Sequence, residues 1–169
     1  MERPDAKRLL GPGFPGDTGE VTDEVAQALA AYARGGDYGR TLAVLADARV
    51  LVPVVAVLGD VEYDEAGLAH DKTSDMATVL LTGADGRQAL LAFTSMASLQ
   101  AWQADARPVP VLLRDAAKAA LQDGATALVL DLAGPARFVI EERDLTALAS
   151  GWQLVFVEGG SAWAVPSAE

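Results

Sequence analysis

Two short segments near the N-terminus repeat their hydrophobic positions at helical spacing. In residues 22–34, Val25, Leu29 and Tyr32 fall on one face of a helix, and the segment opens with Thr-Asp, residue types that commonly cap helices. In residues 38–46 the same spacing returns after a Gly-Gly break, which would end the first helix. The pattern therefore predicts two consecutive amphipathic helices that cover a sheet.

Apolar runs further along the chain predict strands. Residues 49–58 are the most hydrophobic of these runs, but Pro53 interrupts them and predicts an edge strand or a bulge. Residues 76–82 and 87–93 flank the turn sequence Gly-Ala-Asp-Gly and predict a hairpin. The Thr-Ser pair after the second of these strands would cap a helix over residues 96–103.

Residues 106–151 carry the clearest signals. An edge strand or extended lead-in is predicted over residues 109–112, followed by an Ala-rich helix over 115–122 and a strand covered on both faces over 125–132. A tight turn over 133–136 then leads to an alternating strand over 137–141 and a closing helix over 142–150. Strands joined by turns are therefore interspersed with short helices. The sequence predicts an α+β fold, a small mixed β-sheet with hairpins covered by several short α-helices.

Composition divides the chain into three parts. Residues 1–20 are rich in proline and glycine and poor in apolar side chains, so we expect a disordered N-terminal arm. Residues 21–151 hold the predicted α+β domain. Residues 152–169 contain two apolar runs, LVFV and AWAV, on either side of Glu-Gly-Gly-Ser, and predict a C-terminal hairpin extension.

The bulk composition excludes several classes of protein. The chain has 169 residues, 51% of them hydrophobic, which suits one folded domain. It contains no cysteine, so disulfides, thiolate metal sites and a cysteine nucleophile are excluded. A net charge of −11 argues against nucleic acid and anionic membranes as partners. Because there is no signal-peptide pattern and no apolar run long enough to span a bilayer, we expect a cytoplasmic protein.

Four stretches of the chain resemble one known family. They read LAVLADARVLVPVV, LLAFTSMASLQAW, ARPVPV and ALVLDLAGPARFVIEERDLTAL, and they lie within residues 28–151. Their wording and order resemble the SseB family (enhanced serine sensitivity protein B), particularly its N-terminal domain of the actinobacterial type. The resemblance implies a mixed α+β domain with helices packed against a small sheet. Some members are linked by name to serine sensitivity or to type III secretion, but the resemblance implies no reaction and no catalytic residue.

Four charged residues are candidates for ligand binding or for structural polar contacts. Asp131 interrupts an apolar strand just before a turn, where it could bond Arg137 across the hairpin or satisfy turn amides. Arg107 and Arg114 flank the proline-rich segment and could grip an anionic ligand, although exposed arginines commonly serve solubility.

Other candidate chemistry in the sequence is weaker. Residues 59–73 form an acidic stretch that includes His70, but their spacing matches no calcium loop and no H-E-x-x-H helix, so a surface loop is the default interpretation and a divalent-metal site the alternative. Ser95 opens a helix without the flanking glycines of a nucleophile elbow, and capping accounts for it. We therefore predict no catalytic residue, no cofactor and no metal site.

The C-terminal aromatic residues lead to the main hypothesis on function. Trp152, Leu154, Phe156 and Trp163 either complete the core or anchor an interface. If they are exposed, the hairpin would pair with a protein partner or with a second copy in a homodimer. We therefore favour a non-enzymatic protein-interaction module. The alternative is a small-molecule sensor or an enzyme, which requires the candidate charged residues to converge in one pocket.

Overall fold

A computed structural model describes residues 14–57 and 75–167 of the chain. The helices are α1 Asp23–Ala33, α2 Tyr38–Leu45, α3 Met96–Trp102, α4 Leu113–Gln122 and α5 Glu142–Ala149. The strands are β1 Arg49–Val57, β2 Asp75–Thr78, β3 Leu80–Thr82, β4 Gln88–Ala92, β5 Arg107–Leu112, β6 Ala127–Leu130, β7 Phe138–Glu141, β8 Gln153–Val157 and β9 Gly160–Ala164. The fold is α+β, as the sequence predicted.

The strands of the described residues form three sheets, with the orders β2-β1-β5, β3-β4-β6-β7 and β8-β9. Neighbouring strands run antiparallel except for β4 and β6, which are parallel, so the four-stranded sheet is mixed. The chain returns from β4 to β6 through α3, β5 and α4. A bridge between Leu51 and Phe93, with N···O distances of 2.7 and 2.8 Å, joins the first two sheets.

The four-stranded sheet is covered on both faces. In β6, Leu128 and Leu130 belong to the larger core, which also contains buried residues of α1, α2, α4 and α5. Val129, between them, packs on the smaller core, which contains Leu99 of α3. Strand side chains alternate between the two faces of a sheet, so burial on both sides produces the continuous apolar sequence of this strand.

Local capping signals define most helix ends. The side chain of Thr22 accepts a hydrogen bond from the backbone at the start of α1, and Asp37 does the same for α2. Ser95 and Ser98 form a capping box on α3, which confirms the predicted capping role of Ser95. Gly151, which follows α5, has a φ of 75°, a conformation that glycine adopts without steric cost.

Strand β1 lies between β2 and β5 and pairs with β5 without interruption from Arg49 to Val54, so neither the edge strand nor the bulge predicted from Pro53 is formed. Pro53 pairs with Pro108 of β5. The backbone of Leu51 bonds that of Phe93, on the side of β1 away from β5. Backbone groups two residues apart along a strand point to the same side, so those of position 53 also face away from β5. The ladder with β2 begins only at Val54. Pro53 therefore occupies a position that needs no amide donor.

The strand predicted over residues 76–82 divides at Val79. Its first part, β2, pairs with β1, and its second part, β3, pairs with β4 as the predicted hairpin. The carbonyl of Val79 accepts a hydrogen bond of 3.2 Å from the amide of Leu91. One apolar run therefore supplies strands to two sheets. The alternation of side chains along the run does not show where it divides.

Part of the predicted N-terminal arm lies within the described residues. Asp17 forms an ion pair of 2.8 Å with Arg49, and the carbonyl of Gly19 accepts a hydrogen bond of 2.7 Å from the amide of Met96. These contacts attach residues 14–20 to β1 and to the start of α3. The proposed division into arm, domain and hairpin extension stays a prediction.

Phe138 provides a direct test of the core. Its side chain is fully buried, and its ring centroid lies 4.8 Å from that of Tyr32 and 4.9 Å from that of Tyr38. We expect Phe138→Ala to lower the free energy of unfolding by about 3–5 kcal/mol, measured by urea denaturation. Phe156→Ala is the matched control: its side chain is 51% exposed, so we expect a loss below about 1 kcal/mol. Equal losses would contradict this description of the core.

Candidate functional site

Two of the three buried polar side chains in the described part of the chain lie at the carboxyl ends of the parallel strands. Thr94 follows β4, and Asp131 directly follows β6. Both are buried, with relative exposures of 5% and 6%. Parallel neighbours end on the same side of a sheet, so this topology brings together two residues that lie 37 positions apart in the sequence. In open sheets that contain parallel strands, ligands commonly bind at this end.

Asp131 is held by two hydrogen bonds from one residue. The backbone N–H of Thr94 donates to Oδ1 over 2.8 Å, and the Thr94 hydroxyl donates to Oδ2 over 2.6 Å. Asp131 also has a φ of 52°, the only positive φ of a non-glycine residue in the described part of the chain. Asp tolerates this left-handed conformation better than most residues. The carboxylate thus joins the ends of β4 and β6.

An apolar cleft of about 600 Å³ opens beside Asp131 and Thr94. One wall is α1, the second is α3, and the third is the turn between β6 and β7. The small or apolar lining residues are Val21, Ala26, Leu29, Ala30, Ala33, Ala97, Ala101, Ala133, Gly134, Pro135 and Ala136. Arg34 adds one exposed cation at the end of α1. The arrangement is a mainly apolar cavity with one buried carboxylate.

The charged residues singled out from the sequence do not converge. Asp131 lines the cleft, whereas Arg107 and Arg137 are exposed and are not among its lining residues. Arg114 bonds Asp47 over 3.0 Å and the carbonyl of Trp152 over 2.8 Å, at a separate surface. Asp131 does not bond Arg137, one of the two roles considered for it; both hydrogen bonds that its carboxylate accepts come from Thr94. The acidic stretch with His70 lies outside the described residues.

The inner face of the β8–β9 hairpin is attached to the body of the domain. Leu154 and Trp163, which face each other across the hairpin, are half-buried against the larger core. The indole N–H of Trp163 donates to Asp144 Oδ1 over 2.8 Å, and the Tyr38 hydroxyl donates to Oδ2 of the same carboxylate over 3.0 Å. Asp144 therefore connects α2, α5 and β9.

Other side chains of the hairpin are exposed. Phe156 is 51% exposed, with the Arg40 guanidinium 5.5 Å from its ring centroid. Val155 and Val157 alternate with the inward-facing positions and are 37% and 56% exposed. Trp152, which precedes β8, is 36% exposed. The sequence analysis named the aromatic residues but not Val155 and Val157. The signal that could have found them is the alternation within LVFV, which places both valines on the face opposite Leu154.

Comparison with known proteins bears on the domain alone. A family model described as the SseB protein N-terminal domain matches residues 25–147, well over half of the chain. The chain belongs to the SseB N-terminal domain family. The match includes the cleft residues of α1, α3 and the β6–β7 turn, and it ends before the β8–β9 hairpin. No curated protein and no solved structure matches the chain. The described part of this SseB-type domain has no helix of the length and apolarity that a membrane crossing requires.

The bonds between Thr94 and Asp131 predict different effects for two substitutions. Asp131→Ala leaves a buried amide and hydroxyl without their acceptor and places alanine at positive φ, so we expect a loss of about 2–4 kcal/mol. In Asp131→Asn, Oδ1 can accept from the Thr94 amide and Nδ2 can donate to the Thr94 hydroxyl oxygen, so we expect a loss below about 1.5 kcal/mol. Urea midpoints at an unchanged m-value measure both. Equal losses would show that the hydrogen bonds do not stabilise the SseB-type fold.

The contact of Tyr38 with Asp144 predicts a loss of stability at alkaline pH. Burial and the Asp144 carboxylate raise the pKa of Tyr38 above its ordinary value of 10.0. The unfolded chain therefore releases this proton first, so the stabilisation is complete below about pH 10 and is lost progressively as the pH rises further. In Tyr38→Phe, stability should fall less steeply between about pH 9 and 11 than in the parent chain. Tyr32→Phe, which packs on the same Phe138 ring, is the control, and an equal change there would contradict the assignment.

Proposed function

We propose that this chain is a non-enzymatic, cytoplasmic protein-interaction module that binds its partner through the β8–β9 hairpin. The observation that supports the proposal most strongly is the exposure of apolar side chains of β8: Val155 and Val157 on its outer face are 37% and 56% exposed, and Phe156, on the face that carries Leu154, is 51% exposed. Exposed apolar residues on an unpaired sheet edge are a frequent basis of protein recognition.

The hairpin combines a firmly held inner side with open outer edges. Trp163 and Leu154 pack on the body of the domain, and Asp144 holds the Trp163 indole. A Cβ at Gly39 of α2 would lie 2.6 Å from the Ser161 Oγ, which indicates how closely α2 approaches β9. Within the described residues no strand pairs with the outer edge of β8 or β9. A partner strand added to either edge would therefore meet an ordered template, which lowers the entropic cost of binding.

The charge of the chain favours one chemical class of partner. The net charge is −11, and Glu158 lies at the exposed tip of the hairpin. An extended partner segment with alternating apolar side chains and flanking lysines or arginines would complement both the apolar outer face and the negative potential. The proposed partner is therefore a basic, β-forming segment of another protein.

The proposal is tested with two variants that carry the same substitution at equally exposed valines. Val155 in β8 and Val109 in β5 are both 37% exposed. Tagged parent chain, Val155→Asp and Val109→Asp are used to capture proteins from the native cytoplasm, and retained proteins are quantified by mass spectrometry. We expect the parent chain and Val109→Asp to retain the same partner. Val155→Asp should bind this partner at least tenfold more weakly, because the new carboxylate is desolvated in the interface.

Light scattering distinguishes a second copy from another protein. A dimeric mass that becomes monomeric in Val155→Asp but not in Val109→Asp would assign the same surface to self-association. Equal retention of a partner by both variants would place the interaction elsewhere on the domain. A monomeric chain that retains no partner would overturn the proposal.

A further inference from the structure

The cleft between α1, α3 and the β6–β7 turn has the dimensions of a small-molecule site. Its volume of about 600 Å³ lies within the range of about 300–1,000 Å³ that is common for ligand pockets. It opens at the carboxyl ends of the parallel strands β4 and β6, a recurrent location of ligands in sheets of this kind. Its walls consist largely of alanine side chains from α1 and α3, so the greater part of an occupant must be apolar.

The buried carboxylate of Asp131, which lines the cleft, indicates the chemistry of the polar end of that occupant. Asp131 is 6% exposed, and its donors, the amide and hydroxyl of Thr94, are both neutral. Within the described residues it forms no ion pair with lysine or arginine. An ionised carboxylate has about four acceptor sites, and two bonds leave the others open. A buried negative charge without a cationic partner is stabilised by a cation more than by a neutral group.

Two backbone amides at the start of α3 are already bonded and are not available to an anion. At the start of α3, the amide of Met96 donates to the Gly19 carbonyl over 2.7 Å, and the amide of Ser98 donates to Ser95 Oγ over 3.1 Å. These donors are already satisfied. Arg34 is exposed at the rim, where solvent and salt screen its charge. The buried carboxylate therefore dominates the local electrostatics.

We propose that this cleft binds a small amphiphilic amine, with the protonated nitrogen at Asp131 and the apolar body between α1 and α3. The same carboxylate both joins β4 to β6 and receives the ligand. This site is separate from the β8–β9 hairpin, so it does not depend on the proposed interaction function.

The first experiment compares three probes of equal chain length. n-Hexylamine, n-hexanol and hexanoate are titrated to about 10 mM into ¹⁵N-labelled protein, a range that reveals a Kd as weak as ~1 mM. We expect hexylamine to shift the amide signals of Thr94, Ala97, Ala101 and Ala133 in a saturable way. Hexanol should bind at least fivefold more weakly, and hexanoate should leave these signals unchanged. Shifts of the same size with all three probes, or none at these amides with hexylamine, would overturn the proposal.

Variants separate a ligand site from a merely structural carboxylate. Ala30 and Ala31 are both exposed on α1, but only Ala30 lines the cleft. Ala30→Leu should therefore reduce hexylamine affinity at least fivefold, whereas Ala31→Leu should leave it unchanged. Asp131→Asn, which retains groups that can bond Thr94, should remove the preference for the amine over the alcohol. If the asparagine variant does not fold, the leucine pair still decides. Equal affinity of Ala30→Leu and Ala31→Leu for hexylamine would exclude the cleft as the site.

Discussion

Two hydrogen bonds from Thr94 to Asp131 hold together the one parallel strand pair of the described fold. Parallel strands cannot be joined by a short turn, so β4 and β6 meet only after the chain has passed through α3, β5 and α4. The bonds, of 2.8 and 2.6 Å, lie just beyond the last paired residues of these strands. A buried carboxylate that accepts two hydrogen bonds is far less costly than one that accepts none. This contact therefore stabilises the register of the four-stranded sheet at the end where the chain leaves it.

The same contact accounts for the presence of an open cleft. Because Asp131 adopts positive φ, the chain turns sharply after β6, and the amide of Gly134 bonds the Asp131 carbonyl over 2.8 Å. The turn then forms one wall opposite α1 and α3. Alanines on the two helices leave space that larger side chains would fill. A polar anchor and small wall residues together leave an open cleft between these elements.

Local elements could be predicted from the sequence because their signals are local. The α3 cap at Ser95 and the β3–β4 turn each depend on a few adjacent residues, and both were confirmed. Strand pairing depends on distant residues, which explains both errors. Pro53 fits an inner strand because it faces away from β5 and the ladder with β2 begins only at Val54, and the run around Val79 divides because its first part pairs with β1 and its second part with β4. The partner of Asp131 was missed for the same reason, since the parallel pairing that brings Thr94 to it leaves no local trace.

The cleft and the hairpin are connected by packed side chains, yet the contacts indicate that they act separately. From α1, Tyr32 packs edge-on against Phe138, which stacks with Tyr38 at an interplanar angle of 8°. Tyr38 then bonds Asp144, which holds the Trp163 indole of the hairpin. Such a path transmits coupling only where one of its elements has two discrete arrangements. Phe138 is fully buried between the two tyrosines, and a ring in that position has one well-packed arrangement. The path therefore serves as a rigid support, and occupancy of the cleft should leave the β8 and β9 edges of the hairpin in place.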